Sequence, residues 1–438
     1  MTTEQLYQIY KQHPVISTDT RKIAPGSLFF ALRGENFDAN TFAQQALEAG
    51  AAYAIIDNAE YQANDRCILI DDVLTTLQDL ARYHRRQLNI PVIGLTGTNG
   101  KTTTKELINA VLSQHYKTLA TQGNLNNHIG VPLTVLNIDA SHQVAVIEMG
   151  ANHQKEIELL SSISQPTLGL ITNVGKGHLE GFGGFEGVKI AKGELYDNLA
   201  ASGGVTFINS SSPHLMEMQA KRKFATPPVF YGDAIDDLVS AEITENAPLL
   251  TLQWTNNSSG ESYTVKTQLT GAYNLDNILA AICIGVYLKL PAAKINRGIE
   301  SYQPKNNRSQ IVQTATNTLI CDYYNANPSS MQVAIENIGQ LQADRKVLIL
   351  GDMFELGDEA AAEHLNIIKK ALDTNVAERI FIGKEFYRQK AKGEKQKAVF
   401  YETAEDAIAG LKANPIRDST ILIKGSRGMA LERLVELL

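Results

Sequence analysis

The stretch Gly97-Thr98-Asn99-Gly100-Lys101-Thr102-Thr103-Thr104 constrains this chain more than any other. An apolar run, Val92-Ile93-Gly94-Leu95, precedes it, and Lys105-Glu106-Leu107-Ile108 carries a helical pattern on towards Leu112. Strand, glycine loop and helix in that order make a phosphate cradle. Glycines let successive backbone N–H groups face one anion, and the helix N-terminus adds its partial positive charge. Lys101 supplies a mobile full charge, and the Thr102 hydroxyl suits a phosphate-bound magnesium. The commoner form of the loop has a glycine where Leu95 stands, and Gly94 is one residue too early. The loop is therefore of a short type in which Gly97 makes the turn. A plain glycine turn beside an exposed lysine is the competing account, and the flanking strand and helix argue against it.

A chain of 438 residues is too long for one core, and domain-size scaling suggests about three units. A hydrophobic fraction of 44% and a charged fraction of 20% are those of an ordinary globular protein. The net charge of -7 argues against a general nucleic-acid grip, which needs a basic face. Cys67, Cys283 and Cys321 lie far apart, with neither metal spacing nor a disulfide framework, which suits a reducing compartment. No signal peptide and no membrane-crossing run is recognised, so a cytoplasmic, non-inserted enzyme or NTPase is expected. A monomer is expected.

Three blocks follow along the chain. In residues 1–89, strands are expected at Ser27 to Leu32, Ala52 to Ile56 and Cys67 to Ile70, with helices at Thr41 to Ala49 and Val73 to Leu88. Residues 90–306 open with the phosphate loop; strands are expected near Pro132 to Leu136, Val144 to Gly150, Leu168 to Val174 and Gly203 to Asn209. Leu238 to Leu269 alternates like antiparallel strands, and Gly271 to Leu288 reads as helix. Residues 307–438 alternate strand and helix as a second doubly wound unit, with strands at Thr318 to Asp322, Val347 to Leu350, Arg379 to Ile382 and Thr420 to Ile423. The fold class is α/β with three domains.

Ligands of open parallel sheets gather outside the carboxyl ends of strands. That rule places Glu148 and Asn173 beside the phosphate loop, and Thr102 with Glu148 supplies hard oxygens of the kind magnesium prefers. The glycine-dense loop Asn173 to Gly184 carries His178, a metal ligand or merely a solvated imidazole on spacing alone. Lys189 and Lys192 follow on a helix, where spacing alone favours solvated lysines. The asparagine-rich loop holding Asn126, Asn127 and His128 offers donors and acceptors to sugar, uracil or peptide groups, or is simply a turn. In the third block, Tyr324, Asn325 and Asn327 leave one strand end, while Lys424, Ser426 and Arg427 leave another, and Arg427 could clamp a carboxylate.

Taken together, GTNGKTTTKE from Gly97, GNLNNHIGVPLTVL from Gly123, EMGANHQKEI from Glu148 and NVGKGHLEGFGG from Asn173 resemble the Mur ligases. So do DYYNANPSS from Asp322, GDMFELG from Gly351, KGSRGM from Lys424, and STDTR and LFFALRGENFDAN nearer the N-terminus. The resemblance spans the whole chain in one order. It implies an N-terminal domain for a UDP-sugar, a central P-loop parallel-sheet ATPase domain and a C-terminal Rossmann-like domain. It implies ATP and Mg2+ as cofactors, with UDP-N-acetylmuramoyl-tripeptide and D-alanyl-D-alanine as the partners joined in an amide bond.

The same resemblance implies roles for single residues. Gly97, Thr98, Asn99, Gly100, Lys101, Thr102 and Thr103 would bind the nucleotide phosphates. Asn274 and Asn277 would lie near the adenine, and Arg308 and Asp322 would meet the nucleotide from the third domain. Thr102, Glu148, His178 and a carbamylated Lys192 would hold metal, and Lys101, Lys192, His178 and Glu148 would form the catalytic set. Ser17, Asp19 and Arg21 would bind the substrate's UDP end. Tyr273 stands where relatives often have histidine, and Asn307 where many have glycine. Other readings are a different ligase of the superfamily, adding the third stem residue or folate glutamates, and a P-loop NTPase or kinase that makes no amide.

Overall fold

A computed structural model describes residues 1–246, 249–305, 307–390 and 398–438. Among the described residues the strands form three main sheets, one in each expected block, and a small hairpin. The first sheet runs Ile16–Ser17, Leu28–Phe30, Tyr53–Ile56, Cys67–Leu69, all parallel. In the central sheet, Thr118–Ala120, Val144–Glu148, Val92–Thr96, Leu168–Ile171, Val205–Asn209, Val229–Gly232 and Val239–Glu245 lie parallel in that order. Thr251–Asn256 and Glu261–Lys266 extend it antiparallel, as their alternation predicts. The third sheet orders Gln310–Gln313, Asn317–Asp322, Ser419–Lys424, Lys346–Gly351, Glu378–Ile382 and Ala398–Tyr401, with only the first pair antiparallel.

The central strands read as unbroken apolar runs because both faces are covered. Val144 and Val146 pack with the helices Lys101–Leu112 and Leu275–Tyr287 on one face. Ala145 and Ile147 join the core on the other, with Leu160, Leu195 and Leu199 from helices Glu156–Ser164 and Phe185–Ser202. Register then aims the site. Leu95 pairs with Glu148 and Thr96 with Ile171, so the phosphate loop, Glu148 and Asn173 leave the sheet along one edge.

Two expectations are corrected. Pro132 to Leu136 is not a strand but part of the helix Gly130–Leu136, whose first turn is capped by Asn127 Oδ1 accepting from Gly130 N at 2.8 Å. Because most of its residues are buried, it carries no helical period to read. The helix that strand–helix alternation predicts after the last strand, from Met429, is 3-10 throughout, as Arg427–Met429 and Leu431–Leu437. The second domain boundary was expected between residues 306 and 307, and Asn306 lies outside the described residues.

The first block is fastened to the second by polar bonds in an apolar setting. His84 Nε2 faces the Ile138 carbonyl at 2.7 Å and must donate to it, so Nδ1 accepts from the Tyr7 hydroxyl at 3.1 Å. Burial lowers the His84 pKa and keeps this neutral tautomer. Tyr10 donates to the Leu136 carbonyl, and Arg85 caps the helix Glu156–Ser164 through the carbonyls of Ser164 at 3.0 Å and Gln165 at 3.1 Å. No helix among the described residues is long and apolar enough to cross a membrane.

Candidate active site

The phosphate loop owes its shape to two glycines. Gly97 has φ +148°, and a Cβ there would stand 2.0 Å from Thr172 Oγ1. Gly100 has φ +77°, and a Cβ there would stand 2.5 Å from Asn277 Oδ1. Gly100→Ala is therefore expected to destabilise the protein by about 1–3 kcal/mol through strain and overpacking. A thermal melt checks this; an unchanged midpoint would contradict the geometry. The helix Lys101–Leu112 starts immediately after, aiming its free N–H groups into the loop.

Lys101 Nζ donates to the carbonyls of Gly97 at 2.8 Å and Thr98 at 3.0 Å. Burial lowers its pKa to about 8; Glu148 opposes that shift and Arg308 adds to it. Glu148 is 1% exposed. Its Oε1 accepts from Thr102 Oγ1 at 3.2 Å and Asn126 Nδ2 at 2.9 Å, while its buried Oε2 has no hydrogen-bond partner. A buried carboxylate oxygen without a donor needs an explanation, and a cation bound between Thr102 and Glu148 is the simplest.

His178 sits at φ +52° ahead of the short helix Leu179–Phe182, with its ring against the Glu355 carboxylate of the third domain. Burial lowers its pKa, Glu355 opposes this, and Lys101 and Lys192 reinforce it. Lys192 lies on the helix Phe185–Ser202, buried, with Nζ 3.3 Å from the Ala151 carbonyl and 4.9 Å from the Phe182 ring centroid. Burial and the nearby Lys101 charge push its pKa well down, favouring a neutral amine. Among the described residues no three His, Cys, Asp or Glu side chains gather into a ready-made metal cluster.

These groups surround a cleft of about 820 Å³ between the second and third domains. Thr98 to Thr103, Glu148 and His178 line its central-domain side, with Asn126, Asn127 and His128 at one end. Asn274 and Asn277 also line it, but their amides are engaged in bracing the loop. Asn277 Oδ1 accepts from Thr104 Oγ1 at 2.9 Å, and its Nδ2 donates to Asn274 Oδ1 at 3.0 Å. Asn274 Nδ2 in turn donates to the Thr270 carbonyl at 2.8 Å.

The third domain supplies the facing wall. Arg308 lies 3.7 Å over the Tyr324 ring centroid and Arg427 lies 5.1 Å from it. Lys424 pairs with Asp322 at 2.7 Å, and Ser309 N donates to the other Asp322 oxygen at 3.2 Å. Tyr273 shares a hydrogen bond of 2.6 Å with Ser309 Oγ across the domain boundary. Asn325 lines the cleft, and Asn327 uses its Oδ1 to cap the helix Pro328–Gln340 and its Nδ2 to reach Asn99 Oδ1 at 2.7 Å.

Several expected residues stand outside the cleft lining. Ser426 is buried and accepts from Phe354 N at 2.9 Å, shaping the neighbouring loop. Gly97, Lys192 and Arg427 sit behind or beside the lining side chains. Ser17, Asp19 and Arg21 belong to the first domain, where Arg21 makes a two-point pair with Asp19 at 2.9 and 2.8 Å. Glu355 and the Tyr273–Ser309 pair escaped sequence reasoning. The positive φ of +61° at Glu355 marks it only once the backbone is known.

A phosphate loop on a parallel sheet, opening into a cleft closed by another α/β domain, defines a P-loop enzyme of the three-domain ligase type. Family models match in chain order: "Mur ligase family, catalytic domain" at residues 14–85, "Mur ligase middle domain" at 95–285, and "Mur ligase, glutamate ligase domain" at 307–427. The chain belongs to the Mur ligase family. It is 34% identical to UDP-N-acetylmuramoyl-tripeptide–D-alanyl-D-alanine ligase of Bacillus subtilis (strain 168), covering 96% of this chain and 92% of that protein. The ligase of the same name from Escherichia coli (strain K12) is also 34% identical, over 97% of this chain and 93% of that protein. A crystal structure of MurF from Acinetobacter baumannii matches with TM-score 0.88 and 31% identity, covering 99% of this chain and 98% of that one.

Proposed function

We propose that this chain is the ATP-dependent, ADP-forming ligase that joins D-alanyl-D-alanine to UDP-N-acetylmuramoyl-tripeptide in peptidoglycan synthesis. The observation that carries this reading is the near-full-length likeness to ligases of that name, spanning every element that builds the cleft. A cytoplasmic location accords with these nucleotide substrates and with the absence of a membrane-crossing helix among the described residues. The domain boundaries that go with this function are 1–89, 90–306 and 307–438, each block holding one main sheet.

The tripeptide carboxylate attacks the γ-phosphorus of ATP, forming an acyl phosphate as ADP leaves. The amine of D-alanyl-D-alanine then attacks the acyl carbon, and phosphate departs with the new amide made. Backbone N–H groups from Gly100 to Thr103 and the Lys101 ammonium hold the phosphates and balance the charge that builds during transfer. Lys101 then exchanges two neutral carbonyl acceptors for an anion. Arg308 and Asp322 grip the nucleotide from the third domain, and the loops at Asn127 and Tyr324 flank the amino-acid ends.

The donor set fits magnesium: Thr102 Oγ1 and the free Glu148 Oε2 on one side, and His178 with a carbamylated Lys192 on the other. A magnesium ion held by these residues would supply charge neutralisation to the phosphate oxygens. A buried lysine biased towards its neutral amine is suited to capture carbon dioxide, releasing one proton and turning a neutral group into an anion.

The decisive test measures phosphate release with ATP, the UDP-linked tripeptide and D-alanyl-D-alanine, omitting each in turn. Stoichiometric phosphate and amide that require both acceptor and donor are expected. Phosphate release indifferent to D-alanyl-D-alanine would favour a non-ligase NTPase.

A further inference from the structure

The loop between the phosphate site and His178 is held from two sides. On the central-domain side, Thr98 N donates to the Asn173 carbonyl at 3.0 Å, and Gly175 N donates to Thr98 Oγ1 at 2.9 Å. On the other, Lys176 N donates to Ser329 Oγ at 2.9 Å, and Lys176 Nζ pairs with Glu363 at 2.6 Å. Both Ser329 and Glu363 belong to the third domain, on the helices Pro328–Gln340 and Ala360–Asp373. The slot leaves no slack. A Cβ on Gly175 would stand 2.9 Å from Ser329 Oγ, and one on Gly177 would stand 2.7 Å from Thr98 Cγ2 and 3.3 Å from Asn327 Nδ2.

We propose that Lys176 and Glu363 are a positioning pair that couples docking of the third domain to the placement of His178 and the phosphate loop. The inference rests on the ligase reading above. An ordinary surface ion pair contributes little, because water screens both partners. This pair is lopsided: the Glu363 side chain is 5% exposed and that of Lys176 48%. Without Lys176, the Glu363 carboxylate loses its ion partner in a nearly dry setting, which is costly. Docking therefore favours the arrangement in which the lysine reaches over. His178 lies two residues further along and leans on Glu355, also from the third domain. Any withdrawal of that domain must drag the 175–177 run, and with it Thr98 on one side and His178 on the other. That is how a contact outside the cleft acts on the reacting groups.

The test is a double-mutant cycle in the full chain with Lys176→Met, Glu363→Gln and both together, substitutions that keep size and stem length. Two readouts are taken: steady-state ligation, and compaction on binding a non-hydrolysable ATP analogue, followed by small-angle scattering. Each single change is expected to lower kcat about tenfold and to weaken compaction, with the double no worse than the poorer single. KM for the UDP-linked tripeptide should stay within about twofold, since its nucleotide end is assigned to the first domain. Losses that multiply in the double, or singles that leave kcat and compaction intact, would overturn the pairing. If the unmodified protein makes no amide, the ligase reading fails, while compaction, read without turnover, still judges the pair.

Discussion

Lys101→Ala is expected to lower the ligation rate by about 10²–10³-fold at saturating ATP, the usual loss when one preorganised charge contact is removed from a transition state. The ammonium is held at the mouth of the loop by two carbonyls, at 2.8 and 3.0 Å, and is largely withdrawn from water. In that setting its charge acts at far greater strength than in bulk solvent. The backbone N–H groups of the loop and helix remain in the variant, so nucleotide binding should suffer less than turnover. A kcat effect much larger than the change in KM for ATP would therefore mark a contact that strengthens during phosphate transfer. Amide formation followed by chromatography measures it. A near-normal kcat would remove Lys101 from the mechanism.

Lys192→Ala should be similarly damaging, on the order of 10²-fold, for a different reason. The side chain does not line the cleft; its amine is buried against the Ala151 carbonyl and the Phe182 ring. An ammonium placed there would repel both magnesium and Lys101, whereas its carbamate would attract them. Alanine removes the group and leaves a space that a small carboxylic acid can enter. Activity of the variant should thus return on adding formate or acetate, and bicarbonate alone should restore nothing. Full activity without any additive would end the carbamate role.

What can be read from the chain divides along a physical line. The phosphate loop, Glu148, and the loops after Ile171, Asp322 and Lys424 are legible because local order and strand ends determine them. His178 and Lys192 are not legible from spacing; only the likeness to a family singles them out. Contacts between elements distant in sequence leave no local trace. Lys176 and Glu363 stand 187 positions apart, and Asn99 and Asn327 stand 228 apart. The helix Gly130–Leu136 was hidden by its own burial, which erases the period that would announce it. Residue type does not tell a ligand-facing amide from a bracing one at Asn126, Asn274 and Asn277, all of which line the cleft. Their amides suit a ligand, yet the folded chain engages them in holding Glu148 and the phosphate loop.

The buried bond from His84 to the Ile138 carbonyl, with Arg85 capping the helix Glu156–Ser164, does more than join two domains. It holds the first sheet at a set distance from the phosphate loop. On the proposal that the UDP end lies on the first domain and the γ-phosphate at Lys101, that distance becomes a gauge of stem length. Stems one residue shorter or longer are then expected to be ligated more slowly, which a comparison of kcat/KM across stem lengths measures. Selection by length would then reside in the frame of the enzyme rather than in any pocket for a particular side chain.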